Sequence, residues 1–219
     1  MISIAMDGTF ASGKSSIARE ISKRLNILYL NSGQLFRACG LYCLENNIDP
    51  NDKSAVVKAM ENVKLSIKYI DGKQHTYLND VDVSDKLNTQ IMGVYSSIVS
   101  VYPEVRDRTI EIQRNTASTQ SVIIEGRDIT SHVLPNADYK FFVTASEKVR
   151  ARRRYEDFKN AGEKVSFAQV MRDLKERDYR DSHRDICPLV RTPDSIYIST
   201  SNMTLEQSVE KILGYIKKK

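Results

Sequence analysis

The sequence is poor in cysteine and contains no long apolar segment. Its three cysteines, Cys39, Cys43 and Cys187, have neither the spacing of a metal site nor the number of a disulfide framework. No apolar run approaches the roughly 20 residues that span a bilayer. The first apolar stretch leads directly into a glycine-containing loop and does not resemble a secretory signal. We therefore expect a cytoplasmic protein without membrane partners.

Repeats, low-complexity segments and an aromatic-rich surface for single-stranded nucleic acid are also lacking. The net charge of +5 would suit nucleic acid or ligands that carry phosphate. Arginines concentrate in the C-terminal half with acidic residues interleaved, which favours phosphate ligands and no nucleic acid. The histidines are scattered, and we expect all three in surface or loop positions and not at a metal: His75, His132 and His183.

What the chain does contain is a phosphate-binding motif at residues 8–15, Gly-Thr-Phe-Ala-Ser-Gly-Lys-Ser, which fits G-x-x-x-x-G-K-[ST]. An apolar run at 2–6 precedes it and predicts a buried strand. A helical pattern with Ile17, Ile21 and Leu25 on one face follows. Strand, loop and helix in this order are the context that the motif requires.

The residue types of this loop explain its chemistry. Gly8 and Gly13 let the backbone curl so that its N–H groups surround a phosphate. Lys14 places a cation on the β- and γ-phosphates from an exposed loop position, and Ser15 offers a hydroxyl to Mg²⁺. The predicted ligands of the ATP phosphates are Gly8, Ala11, Ser12, Gly13, Lys14, Ser15 and Ser16.

Alternating apolar runs and helical patterns predict an α/β fold of the three-layer P-loop type, with a central parallel sheet of about five strands. Residues 61–84 alternate with strand periodicity and predict a small antiparallel sheet inserted into this fold. Ser32 is predicted to cap a helix to about residue 46, and Thr204 with Gln207 to cap the last helix. The remaining predicted helices cover 54–60, 85–101, 103–118, 146–161 and 166–183, and residues 217–219 are predicted to form a frayed tail.

Further polar clusters lie outside the loop. Glu125 ends a predicted core strand, where a carboxylate helps to hold Mg²⁺, and Gly126-Arg127-Asp128 follows it as a ligand-facing turn or a solvated one. At helical spacing, Arg177, Asp181 and Arg184 share one face, as a site or as a salt-bridged surface.

Together these motifs resemble the bacterial cytidylate kinases, a family of nucleoside monophosphate kinases, over nearly the whole chain. The resemblance is carried by the phosphate loop, Ser32-Gly33 with Phe36-Arg37, the inserted sheet, Ser97, Tyr102-Pro103 with Arg106, 126–128, 135–138, 175–184 and Cys187-Pro188-Leu189. It implies transfer of the γ-phosphoryl group of ATP to CMP or dCMP with Mg²⁺ as cofactor. It also implies a monomer with no partners beyond these small molecules.

The resemblance also implies residue roles. It assigns catalytic roles to Lys14, Arg127, Arg153, Arg154 and Arg184. The residues that it implies for binding CMP are Ser32, Arg37, Ser97, Arg106, Arg127, Asp128, Arg177, Asp181 and Arg184. Among these, Arg37, Arg127 and Arg184 hold the acceptor phosphate. Ser97, Arg106 and Asp128 read cytosine, while Arg177 and Asp181 reach the sugar. Metal binding falls on Ser15 and Glu125, directly or through water.

The expected organisation is a single kinase domain over 1–219. Its core comprises about 1–32, 119–147 and 169–219, the acceptor-binding region about 33–118, and a mobile lid about 148–168.

Several positions depart from the family pattern. Thr9 stands where proline is common, Ala11 where glycine is common, and Glu125 where aspartate is common; Gln34 and Phe36 differ too, and Thr130-Ser131-His132 replaces a Gly-Thr-Val stretch. Two other functions stay open at this point: a kinase of another small acceptor, UMP or a non-nucleotide, and a catalytically idle ATP-binding sensor.

Overall fold

The computed structural model of the protein describes residues 1–216, so the predicted tail at 217–219 lies outside the described residues. A five-stranded sheet has the order β2-β6-β1-β7-β8. Its strands are β1 (Ser3–Gly8), β2 (Leu28–Asn31), β6 (Val122–Gly126), β7 (Tyr139–Thr144) and β8 (Ile196–Ser199). A three-stranded antiparallel sheet contains β3 (Leu65–Ile70), β4 (Lys73–Leu78) and β5 (Val81–Asp82). The predicted P-loop α/β fold with a small inserted sheet is confirmed.

Eight α-helices occur within residues 1–216: α1 (Lys14–Leu25), α2 (Ser32–Glu45), α3 (Lys53–Met60), α4 (Gln90–Val99), α5 (Pro103–Thr119), α6 (Glu147–Asn160), α7 (Phe167–His183) and α8 (Leu205–Ile216). A 3₁₀ turn covers Ser84–Lys86, and one turn of π-helix covers Ile129–Val133. Over this described range, no helix has the length and apolar character to cross a membrane.

The chain forms two compact units. Unit one contains Met1–Ile2 and Ile27–Ile124, and unit two contains Ser3–Asn26 and the chain from Glu125 onward. In unit one, helices α2 to α5 and the small sheet share one apolar core. Cys39 and Cys43 lie one helical turn apart in that core, and burial raises the pKa of Cys39 to about 12. Both cysteines are therefore packing residues held as thiols.

In unit two, β1 pairs in parallel with β7, and β7 pairs with β8. Gly8 lies opposite Val143 with a φ of 148°. A Cβ atom at Gly8 would lie 1.7 Å from the carbonyl oxygen of Val143, so only glycine fits at the end of β1. The predicted capping box of α8 is confirmed: the Gln207 N–H donates to Thr204 Oγ1 at 3.2 Å, and the Thr204 N–H donates to Gln207 Oε1 at 2.9 Å.

Two predictions of helix starts are wrong. Ser32 is the first residue of α2, and the capping position belongs to Asn31. The helix predicted from residue 85 begins at Gln90, where the Met92 N–H donates to Thr89 Oγ1 at 3.3 Å. The delay has a local cause, because the Asp82 carboxylate accepts hydrogen bonds from the Ser84 N–H and Oγ and so stabilises a turn at this point.

Candidate active site

The phosphate loop of unit two contains two left-handed residues between β1 and α1. Ala11 has a φ of 58° and Gly13, which caps α1, has a φ of 89°. These values turn the chain tightly before the helix. Ala11 adopts its conformation against the steric preference of an L-residue, at a cost of about 1 kcal/mol. The departure from glycine at this position therefore stores strain in the loop.

Lys14 lies inside this loop and not on its exterior. Its side chain is only 4% exposed, and its Nζ donates to the carbonyl oxygens of Gly8 at 2.9 Å and Thr9 at 2.8 Å. The expectation of an exposed lysine is wrong because the loop wraps around the ammonium group. Burial lowers the pKa of Lys14 to about 7, with repulsion from Arg127 adding to the effect and Glu125 opposing it.

This lowered pKa leads to a prediction about proton uptake. At pH 8 Lys14 is mostly neutral in the free protein. The negative charge of bound ATP favours the ammonium form and raises the pKa, so binding takes up a proton. Calorimetric titrations at pH 8, in buffers of different ionisation enthalpy, are expected to show an uptake approaching one proton. The Lys14→Met variant should show almost none, and equal uptake by the two proteins would contradict the assignment.

Ser15 and Glu125 form the second element of the loop site. The Ser15 hydroxyl donates to Glu125 Oε1 at 2.6 Å, and Glu125 is buried at the end of β6. A hydroxyl and a carboxylate are oxygen ligands of the kind that Mg²⁺ prefers. The structure thus brings together the two residues predicted to bind the metal, and their donor set fits that ion.

Asp7 is a further residue of the site that was not predicted from the sequence. This fully buried carboxylate accepts hydrogen bonds from Ile129 N at 2.9 Å, from Thr130 N at 2.7 Å and from Thr130 Oγ1 at 2.7 Å. Burial raises the pKa of Asp7 to about 6, against the lowering effect of the Thr130 hydroxyl. Asp7 therefore fixes the turn that follows Arg127 and Asp128. An acidic residue within an otherwise apolar strand was the signal available in the sequence.

Arg127, Asp128, Asp181 and Arg184 form an ion-pair cluster in unit two. Arg127 Nε donates to Asp181 Oδ2 at 2.7 Å, and Arg184 Nη2 donates to Asp128 Oδ1 at 3.3 Å. Burial acts to raise the pKa of Asp181, but Arg127, Arg177 and Arg184 lower it below its usual value. The prediction of a common helical face is wrong for Arg184, because α7 ends at His183 and Arg184 has extended backbone angles.

The arginines of α6 contact the phosphate loop. Arg150 Nη1 donates to the carbonyl oxygen of Phe10 at 3.0 Å and to Asp178 Oδ2 at 2.5 Å. Arg153 donates to the carbonyl oxygen of Ser12 at 3.3 Å and to Thr200. The guanidinium of Arg154 stacks over Phe158, in the small apolar core between α6 and α7.

Phe10, near the middle of the loop, is surrounded by the α6–α7 hairpin. Its N–H donates to Asp178 Oδ1 at 3.3 Å, and the guanidinium of Arg177 lies 4.2 Å from its ring centre. The ring also packs against the apolar core of the hairpin. No local pattern in the sequence indicates a role for Phe10, because its partners lie 140 to 168 positions further along the chain.

The remaining predicted acceptor ligands belong to unit one. Arg106 is buried, donates to the Ser100 carbonyl oxygen at 2.9 Å and lies over the Phe36 ring. Arg37 Nη1 donates to Asn88 Oδ1 at 3.4 Å, and Ser32 is buried at the start of α2. Ser97 Oγ is buried without a hydrogen-bond partner among residues 1–216. A buried hydroxyl in this state is a suitable group for a polar ligand.

Comparisons with known proteins identify relatives of this chain. The family model described as cytidylate kinase matches residues 4–218. A cytidylate kinase of Fervidobacterium nodosum is 43% identical over 216 residues, covering 99% of this chain and 96% of that protein. One of Caldicellulosiruptor bescii is 37% identical, with 97% and 94% covered. A shikimate kinase structure from Bacteroides thetaiotaomicron shares the fold alone, at 9% identity and a TM-score of 0.50, with 99% and 98% covered.

Proposed function

This chain belongs to the cytidylate kinase family, and we propose from that membership how its residues divide the reaction among themselves. The enzyme transfers the γ-phosphoryl group of ATP to CMP or dCMP and releases ADP with CDP or dCDP. One observation carries the division of roles: the turn with Arg127 and Asp128 is joined to the phosphate loop on both sides. Ser15 donates to Glu125, two residues before Arg127, at 2.6 Å, and Asp7, directly before the loop, accepts hydrogen bonds from the N–H groups of Ile129 and Thr130. The cations of the phosphate loop and of the ion-pair cluster can therefore act on phosphate groups in the same region of unit two.

On the donor side, the loop binds the ATP phosphates through its backbone N–H groups, Lys14 and the N-terminus of α1. The backbone and side chains of Gly8, Ala11, Ser12, Gly13, Lys14, Ser15 and Ser16 make this cradle. Ser15 and Glu125 hold Mg²⁺, which supplies neutralisation of phosphate charge when it is bound. Lys14 exchanges its bonds with the Gly8 and Thr9 carbonyls for phosphate oxygens.

On the acceptor side, Arg37, Arg127 and Arg184 bind the phosphate of CMP, for which their planar donor pairs are suited. Ser32 lies at the start of the helix that carries Arg37 and supports the same group. Arg177 and Asp181 reach the sugar. The base is read by three residues: Asp128 accepts the cytosine amino group, while Arg106 and Ser97 donate to the acceptor atoms.

The chemical step needs positioning and charge compensation more than covalent help. An oxygen of the CMP phosphate attacks the γ-phosphorus, and the bond from that phosphorus to the β–γ bridging oxygen breaks, leaving ADP. The attacking oxygen is already an anion, so no general base is required. Arg153 and Arg154, on the α6–α7 hairpin, stabilise the transferring group, and closure of this hairpin as a lid over about 148–168 excludes water.

Asp128 is expected to determine the choice of base. A carboxylate accepts a hydrogen bond from the amino group of cytosine but repels the carbonyl oxygen of uracil. An unsatisfied or repelled buried group costs about 1–3 kcal/mol, which corresponds to roughly 5- to 150-fold. The Asp128→Ala variant should lose most of the preference for CMP over UMP in kcat/KM, with a larger fall for CMP.

The alternative role of Asp128 is to orient Arg184, its partner at 3.3 Å. If that role is the correct one, Asp128→Ala will lower kcat/KM for CMP and UMP in the same proportion. The Asp128→Asn variant separates the roles further, because its amide retains an acceptor for the guanidinium and adds a donor for uracil. If Asp128 recognises the base, kcat/KM for UMP should rise relative to kcat/KM for CMP in this variant.

The function itself is tested by coupled ADP release with CMP, dCMP, UMP, AMP, GMP and no acceptor. Turnover confined to CMP and dCMP is expected, whereas ATP binding without turnover on any acceptor would indicate a sensor. We further propose that the enzyme is a cytoplasmic monomer that binds neither nucleic acid nor membranes. Sedimentation at assay concentrations tests the oligomeric state.

A further inference from the structure

Three potential metal ligands of different chemistry converge beside the ion-pair cluster of unit two. The carboxylate of Asp128, a ring nitrogen of His132 and the sulfur of Cys187 contribute ligand atoms that all lie within 4.8 Å of one another. Asp128 and His132 follow β6, whereas Cys187 lies in the loop after α7. No regular sequence spacing connects them, so the fold alone creates this group.

The π-helical turn brings the first two ligands together. The N–H groups of His132 and Val133 both donate to the Asp128 carbonyl oxygen, at 2.9 and 3.2 Å. Asp7 also holds this turn, because its carboxylate accepts hydrogen bonds from the N–H groups of Ile129 and Thr130. Isolated π-helical turns are frequent at functional sites. Asp128 and His132 are thus held on one rigid turn.

The loop of Cys187 is fixed as well. Arg184 Nε donates to the Cys187 carbonyl oxygen at 2.6 Å, and the Leu189 N–H donates to the Asp181 carbonyl oxygen at 2.7 Å. Cys187 itself has a φ of 51°, a left-handed conformation that a residue other than glycine adopts only where its surroundings impose it. Such residues concentrate at sites that bind ligands.

We propose that Asp128, His132 and Cys187 bind one Zn²⁺ ion. Thiolate, imidazole and carboxylate together are the donor set of zinc, and the thiolate makes the site unsuited to Mg²⁺. Bonds of about 2.0–2.3 Å in tetrahedral geometry place ligand atoms about 3.3–3.8 Å apart. The ligand atoms, which lie within 4.8 Å of one another, must therefore approach further when zinc binds, and this movement falls on exposed His132 and half-buried Cys187 because Asp128 is buried. The thiol proton passes to solvent as the Zn–S bond forms.

Bound zinc has a consequence for the reaction, and this part rests on the proposed function. Asp128 Oδ1 already accepts a hydrogen bond from Arg184 Nη2 at 3.3 Å, and a zinc ion on the same carboxylate adds positive charge and takes up space where the cytosine amino group and the phosphate-binding Arg184 would lie. Zinc and CMP therefore exclude each other, and the site makes acceptor binding sensitive to free zinc. The phosphate loop keeps its own ligands, so ATP binding is unaffected.

Metal binding is tested first, without any nucleotide, by titration with Co²⁺ as a spectroscopic substitute for zinc. One equivalent is expected to produce tetrahedral cobalt bands and a thiolate charge-transfer band, both abolished by Zn²⁺. Cys187→Ser should lose the charge-transfer band, and His132→Val should bind about tenfold or more weakly. His183→Asn, which removes another exposed imidazole, should bind as the parent protein does. A missing charge-transfer band, or one that persists in Cys187→Ser, overturns the site.

Kinetics at saturating MgATP then test the competition. Zn²⁺ is expected to raise the apparent KM for CMP at unchanged kcat, and Cys187→Ser and His132→Val should keep the parent's zinc-free activity while losing this response. Two results would overturn the competition. One is inhibition of both variants by Zn²⁺ as strongly as of the parent protein, and the other is an unchanged KM for CMP when the metal site is occupied. The two proposals can fail separately. The cobalt spectrum reports metal binding whether or not the protein phosphorylates CMP, so absence of CMP turnover overturns the proposed function and leaves the test of the metal site intact.

Discussion

Replacing Lys14 with alanine is expected to lower kcat for phosphoryl transfer by about 10²–10³-fold, the typical effect of removing one preorganised group that stabilises charge in the transition state. The buried ammonium is held by the Gly8 and Thr9 carbonyls within the loop, so its charge is already positioned before the phosphates bind. Coupled ADP release at saturating ATP and CMP gives kcat directly.

A matched stability measurement shows whether this loss is catalytic. Lys14→Ala leaves two loop carbonyls without their donor but also removes an ammonium whose burial is unfavourable, so the free energy of unfolding should change by about 1 kcal/mol or less. Lys14→Arg keeps a charge without the compact geometry and should recover only a small part of the activity. Turnover of the alanine variant within a few-fold of the parent would contradict the proposed role of the loop.

Asp181→Ala should cause a large loss of stability. Asp181 is buried, its carboxylate accepts from Arg127 Nε at 2.7 Å, and Arg177 and Arg184 also act on it. Removing the carboxylate leaves the largely buried Arg127 guanidinium without its ion-pair partner, and breaking a buried pair in this way costs about 3–5 kcal/mol. Urea unfolding at pH 7 measures the loss, with Asp185→Ala as the control for an exposed aspartate a few residues along the same chain segment.

The stabilisation by Asp181 is expected to depend on pH. Because the folded-state pKa of Asp181 is lower than its unfolded value, its stabilisation is present above the unfolded pKa near 4 and is lost as the pH falls through the folded one. The difference between parent and Asp181→Ala should therefore be largest near neutrality and shrink at acidic pH. A difference below about 1 kcal/mol at pH 7 would show that the cluster is not stabilised by this carboxylate.

The sequence predicted the parts of this molecule whose signals are local. The motif at 8–15, the buried strands around it and the reciprocal cap at Thr204 and Gln207 depend on residues within a few positions of one another. The parallel sheet and the small inserted sheet followed from apolar periodicity in the same way. Ser15 and Glu125 were predicted to share a metal, and the structure places them in contact because loops and strand ends meet at one edge of such sheets; their metal binding stays a prediction.

What the sequence failed to predict depends on distant partners. The burial of Lys14 requires the closed shape of the loop, and the role of Asp7 requires the turn at Ile129 and Thr130, more than 120 residues away. Arg184 shares no helical face with Asp181 because α7 stops one residue before it. The N-cap positions Asn31 and Thr89 were missed because neighbouring serines and aspartates offered competing caps and turns.

Phe10 links the phosphate loop to the α6–α7 hairpin of unit two. Its N–H and carbonyl oxygen both bond to side chains of the α6–α7 hairpin, and its ring packs among that hairpin's apolar residues. A shift of the hairpin must therefore pull on the peptide groups on either side of Phe10. We therefore expect the loop and the hairpin to move together, so that a change in the angle between α6 and α7 changes the spacing of the amides that bind phosphate.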